Sequence, residues 1–128
     1  MKEILFIFLG GGAGSVLRFL VSLFGRHLML HPRFAAMVFP WPTLCVNVLG
    51  CLCIGVFYTY SERWGWSDSV RLLMTTGFCG GLTTFSTFSY EGLTLLRQGL
   101  YGSYAAYAVL SIVLGLLAAA LPILLSRA

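Results

Sequence analysis

The sequence predicts an all-α membrane protein of four transmembrane helices, the third of them broken. Three observations predict it. Hydrophobic residues make up 59% of the 128 residues and charged residues only 9%, a balance outside the range of soluble globular chains. Apolar runs long enough to cross a bilayer recur four times. Inside the third run, Thr75 to Glu91 reads TTGFCGGLTTFSTFSYE, with Gly77, Gly80 and Gly81 among a dense set of hydroxyls. In hydrocarbon every backbone polar group must be satisfied internally, so irregular chain survives only where it is buried or lines a wet cavity. Interrupted membrane helices point to an ion or substrate site.

At this length the chain fits a single domain, residues 1–128. Its net charge of +4 comes from singly dispersed basic residues with no stripe or cluster, which excludes a nucleic-acid surface. Cys45, Cys51, Cys53 and Cys79 fall in apolar segments without CxxC spacing or neighbouring His or carboxylate, so they read as small buried hydrophobes.

Segment one runs from about Ile4 to Phe24. Its ILFIFLGGGAGSVLR lacks the third glycine and the later acidic residue of a dinucleotide-binding fingerprint. Gly10 and Gly14 form instead a small-xxx-small pair for close helix approach. Arg18 has two readings: snorkelling to headgroups, or lining an anion vestibule, since charges within the membrane tend to be functional. No cleavable signal peptide is expected, because the apolar stretch lacks a substantial basic n-region and continues past Arg18. Gly25 to about Phe39 reads as a loop carrying Arg26, His27, His31, Pro32 and Arg33. Pro40–Trp41–Pro42 marks the membrane interface.

Segment two extends from about Thr43 to Tyr60. Asn47 is its only amide, placed either to bond a neighbouring helix or to offer an N–H to a passing anion. Gly50 and Gly55 permit close packing, and Tyr58 and Tyr60 close the segment with an aromatic belt. Ser61 to about Ser69 reads as a short polar loop. Segment three spans about Val70 to Leu96, Gln98–Gly99 makes a tight turn, and segment four covers about Tyr101 to Leu125, with Tyr107 and Ser111 one helical turn apart.

Lys2, Arg63, Arg71 and Arg127 fall on one side of this topology and Arg26, Arg33 and Arg97 on the other, four against three. Positive-inside bias normally fixes orientation. A chain without that bias can insert both ways, and oppositely inserted copies can pair about a two-fold axis in the membrane plane. Dual topology, with an antiparallel homodimer, is therefore expected.

GFCGGLTTFSTFSYE at 77–91, TLCVNVLG at 43–50 and GGGAGSVLR at 10–18 together resemble the Fluc (CrcB-type) fluoride channels over essentially the whole chain. The resemblance implies a multi-pass protein of the cell (inner) membrane, working as an antiparallel homodimer. It implies two fluoride pathways per dimer and one central structural sodium ion (Na+). It puts the sodium on the main-chain carbonyls of Gly80 and Thr83, the paired pore phenylalanines at Phe85 and Phe88, and the pore asparagine at Asn47. Ser86, Thr87, Ser89 and Glu91 match the family's polar track, and Tyr107 and Ser111 its fourth-segment pore positions. Thr43 would lie near Asn47 at the vestibule, where Arg18 would also stand if its second reading holds. Phe85 and Phe88, three apart, share a helix face, and their positive ring edges can meet a desolvating anion. Asn47 can donate to it. A fixed charge at Glu91 should repel fluoride, so hydrogen bonding or a cation partner is expected there.

No nucleophile–base pair, metal cluster or carboxylate pair stands out for catalysis, so an enzyme is not expected. Two other readings remain. A dual-topology four-helix exporter of cationic drugs would want a membrane carboxylate in the first segment, which has none. A packing subunit of a larger complex would use the glycines and hydroxyls as helix contacts.

Overall fold

A computed structural model describes residues 1–29 and 38–127. The described chain is helical throughout apart from short connections. Helix α1 is Lys2–Met29, α2 is Trp41–Arg63, α3 is Asp68–Leu72 and α4 is Gly80–Leu82. A π-helical stretch, Leu73–Cys79, joins α3 to α4. Helix α5 is Phe85–Arg97 and α6 is Tyr101–Arg127. Among the described residues, three continuous helices are long and apolar enough to cross a membrane: α1, α2 and α6. The remaining span is the broken one, with α3, the π stretch and α4 before the interruption and α5 after it. The chain is an all-α, multi-pass membrane protein.

Several boundaries differ from expectation. Helix α1 runs on to Met29, so Arg26 and His27 lie in its last turn rather than in a loop, where the Arg26 charge suits the negative end of the helix dipole. His31, Pro32 and Arg33 lie outside the described residues. Helix α2 begins at Trp41, with Pro42 in its first turn, where the missing N–H costs nothing. It continues through Ser61, Glu62 and Arg63, shrinking the expected 61–69 loop to Trp64–Ser67. Gly65 turns that loop at φ 60°, and Ser67 caps α3 by accepting from the Val70 N–H at 3.4 Å. Helix α2 outran its apolar window because Glu62 and Arg63 are good helix formers whatever their hydropathy. The Gln98–Gly99 turn is present, with Gly99 at φ 74°.

Glycine sets the tightest contacts. A Cβ on Gly10 would strike the Leu73 carbonyl, and one on Gly14 the Phe78 carbonyl. From the other side, a Cβ on Gly81 would strike the Gly11 carbonyl. Bare backbones thus let α1 lie directly on the π stretch and α4, the packing that small residues allow in a bilayer. Helix α2 packs along α6.

The core sits at one end of the bundle. Tyr107 is fully buried with Leu44 and Leu95, ringed by Phe39, Val48, Phe88 and Tyr104. The outer faces of α1 and α6 expose Phe8, Phe19, Leu116, Leu117 and Leu124, as a lipid-facing surface should. Helix α5 departs from that rule. Its exposed face carries Ser86, Thr87 and Ser89 beside Phe85.

Candidate functional site

The interruption of the third span is two residues long. Thr83 (φ −80°, ψ 156°) and Thr84 (φ −149°, ψ 119°) are both extended, so the carbonyls before them and the amides after them lose helical partners. Side chains supply replacements. Asn47 Nδ2 donates to the Thr84 carbonyl at 3.2 Å, and the Thr84 N–H donates to Asn47 Oδ1 at 2.8 Å. The Thr83 carbonyl accepts from Arg18 Nη1 at 3.4 Å, and the Gly81 carbonyl from Ser15 Oγ at 3.5 Å. Thr84 also caps α5, its Oγ1 accepting from the Thr87 N–H at 3.3 Å. Ser86 Oγ lies 3.2 Å from Thr84 Oγ1, which in turn donates to Thr87 Oγ1 at 3.1 Å.

Three cavities follow one another along this polar seam. The first, about 290 Å³, is lined by Asn47, Thr83, Thr84, Phe85, Phe88 and Ser111, with Cys51 and Ile112. Within it, the Phe85 and Phe88 ring centroids are 5.8 Å apart, and the buried Ser111 hydroxyl has no hydrogen-bond partner among the described residues. Asn47 spends one amide hydrogen on Thr84; among the described residues nothing accepts the other. The second cavity, also about 290 Å³, is lined by Ser15, Arg18, Ser22, Thr43, Thr84 and Thr87, with Phe19 and Val46. Thr84 is common to both. The third, about 250 Å³, is lined by Val38, Pro40, Tyr90, Glu91, Thr94, Leu95 and Gln98.

Glu91 joins the second and third. Its Oε1 accepts from Thr43 Oγ1 at 2.8 Å and its Oε2 from Tyr107 Oη at 2.8 Å. Each carboxylate oxygen is therefore held by a hydroxyl, and among the described residues no cation pairs with it. Arg18 is likewise without a carboxylate partner among the described residues. Phe88 stacks toward Tyr107 with centroids 4.9 Å apart, which ties the ring pair of the first cavity to the Glu91 cluster.

Of the residues singled out from sequence, Asn47, Phe85, Phe88 and Ser111 converge on one cavity, and Arg18, Thr43 and Thr87 on the next. Tyr107 reaches its place through Glu91. Ser86 joins through Thr84, whereas the exposed Ser89 returns its hydroxyl to the Phe85 carbonyl at 2.9 Å and lines none of the three cavities. Thr84 reads from sequence only as one hydroxyl of the glycine-rich stretch, and Ser15 and Ser22 were not singled out. Ser15, Arg18 and Ser22 stand at i, i+3 and i+7, a single helix face that the sequence already displays.

Among the described residues no group of His, Cys, Asp or Glu side chains could hold a metal. Carbonyls are the available donors. The Gly80 carbonyl loses its helical partner because the Thr84 N–H is turned to Asn47, and Gly80 is exposed with open space beside it. Uncharged carbonyl oxygens of this kind suit a hard monovalent cation. Thr83 offers a second, shared with Arg18.

An all-helical membrane protein with a broken span, whose freed amide and hydroxyl groups line consecutive small cavities, has the build of a conduit for a small polar solute or ion. The chain belongs to the CrcB family: the family described as "CrcB-like protein, Camphor Resistance (CrcB)" matches residues 5–123. It is 50% identical over 127 residues to the fluoride-specific ion channel FluC of Phocaeicola vulgatus, covering 99% of this chain and all of that one. It is 51% identical over 118 residues to the protein of the same name from Bacteroides fragilis, covering 92% of this chain and 91% of the relative. The protein so named from Azobacteroides pseudotrichonymphae is 41% identical over 128 residues.

Proposed function

We propose that this protein is a fluoride-selective ion channel that lets fluoride leave the cell passively across the inner membrane. Family membership and near full-length likeness to proteins named fluoride channels support the ion. The observation that carries the route is the first cavity, where the Asn47 amide, the unpartnered Ser111 hydroxyl and the Phe85–Phe88 pair meet. Fluoride is small and strongly hydrated, so a pathway must replace its water with donors and still release it. Asn47 has one N–H free for that task, and Ser111 one O–H. Ring edges at Phe85 and Phe88 add weakly positive hydrogens on an apolar wall, which lowers the barrier without a deep trap.

Arg18 in the second cavity raises the local concentration of anions, and the Thr84–Ser86–Thr87 hydroxyls offer further donors. Thr43 and Tyr107 hold the Glu91 carboxylate, spreading its charge over two hydrogen bonds and reducing its repulsion of a passing anion. No bond in the ion is made or broken; the activity is passage, not catalysis. Cation export is the weaker reading, because the free groups in the first cavity are donors and the Arg18 cation bonds the break itself.

The working unit of this proposal is an antiparallel homodimer with two pathways. Support comes from α5, whose exposed Ser86, Thr87 and Ser89 suit a covering protein face better than lipid. The near balance of basic residues supports opposed insertion. Sodium at the dimer centre would be held by the Gly80 and Thr83 carbonyls, two from each copy, and would supply fixed positive charge that keeps the two breaks together.

Reconstitution tests the function. Vesicles loaded with potassium fluoride and bearing the purified protein should empty once a potassium ionophore carries the compensating charge, as read by a fluoride electrode, while protein-free vesicles hold their load. Equal retention in both would refute it.

A further inference from the structure

We infer that Gly50 is a positioning residue: its bare Cα on α2 seats the Thr83 methyl and so fixes the direction of the Thr83 carbonyl at the helix break. This rests on the channel reading for its functional consequence. Gly50 is buried, and a Cβ there would collide with Thr83 Cγ2, with Thr83 Cβ next at 3.6 Å and Leu82 Cδ2 at 3.9 Å. The side chain cannot easily turn away. Thr83 Oγ1 donates to the Cys79 carbonyl at 2.9 Å, and either alternative staggered rotamer lifts the hydroxyl off that acceptor. The Thr83 N–H is committed to the same Cys79 carbonyl, also at 2.9 Å. Amide, hydroxyl and methyl fix φ and χ1 of this extended residue, and the Thr84 N–H held by Asn47 Oδ1 at 2.8 Å fixes the peptide plane that follows, which leaves the Thr83 carbonyl directed toward Arg18 Nη1. Gly50 is therefore the α2 half of a lock, and overpacking it must shift the break or free the hydroxyl.

A methyl exchange tests this. Gly50→Ala adds the methyl that Thr83→Ser removes, and serine keeps the hydroxyl for Cys79. In reconstituted vesicles whose wild-type protein passes fluoride, Gly50→Ala should lower efflux on the order of tenfold, the scale of a one-methyl overpacking. The double variant Gly50→Ala/Thr83→Ser should recover most of that loss. Wild-type efflux in Gly50→Ala, or a double variant no faster than Gly50→Ala, would overturn the inference. Thermal unfolding of the same cycle in detergent decides the seating whether or not the wild type conducts. There the double variant should melt above Gly50→Ala, and purely additive losses would overturn it. Absence of fluoride efflux from the wild type would instead strike the channel reading.

Discussion

Asn47 and Thr84, 37 residues apart, exchange two hydrogen bonds, the amide hydrogen to the carbonyl and the peptide N–H to the amide oxygen. A side-chain amide thereby imitates a second backbone strand. It satisfies both polar groups of the residue at which the third span loses its helix, and in a bilayer those groups would otherwise lack partners. Asn47 thus has two duties: one hydrogen holds the break open, and the other faces the cavity of Phe85, Phe88 and Ser111.

Asn47→Asp should abolish fluoride flux. The carboxylate still accepts from the Thr84 N–H but has no hydrogen for the Thr84 carbonyl or for an anion, and it adds a negative charge. Electrode recordings from vesicles check this, and flux within about threefold of wild type, a difference of under 1 kcal/mol, would remove Asn47 from the route.

Phe85→Ile should cripple flux while the protein still folds. Phe85 is 79% exposed in the single chain, so its ring contributes little to the packing within one copy, whereas the lost ring edge takes a donor from the cavity wall. Efflux and thermal melting, read side by side, should separate: efflux falls and the melt stays near wild type.

Thr43→Val and Tyr107→Phe should each destabilise the fold by about 1.5–3 kcal/mol, the scale of a hydrogen bond to a charged group. Because both donors serve Glu91, the double variant should depart from additivity, as residues in one network do. Melting of the four proteins gives the coupling; simple addition would mean that Glu91 does not link them.

Two or three lysines added to one end of the bundle should bias insertion and reduce flux, and a copy biased the opposite way should restore it on co-expression. Undiminished flux from the biased protein alone would count against the antiparallel pair.

The functional stretch was legible because Gly80, Gly81 and a run of hydroxyls have no place on a lipid-facing helix. The small-residue pair at Gly10 and Gly14 was legible for the same reason, and both meet carbonyls of the broken span. The resemblance set the break about Gly80 and Thr83, but no local pattern shows that Thr84 is extended too, because Asn47, far away in sequence, takes over its backbone groups. The hydrogen-bonding expectation at Glu91 was sound, yet its donors, Thr43 and Tyr107, come from two other helices and no local spacing names them. The π-helical stretch before the break was equally hidden, and so were the extra turns of α1 and α2. Those turns carry Arg26 and His27 in α1 and Glu62 and Arg63 in α2, polar residues that continue a helix without continuing the apolar pattern.

The central claim is a passive route for one halide, and charge movement tests it most directly. Vesicles loaded with potassium fluoride and potassium chloride should release fluoride only after a potassium ionophore is added to carry the compensating charge, and should retain chloride throughout. Fluoride release without the ionophore, or chloride release alongside it, would contradict the account.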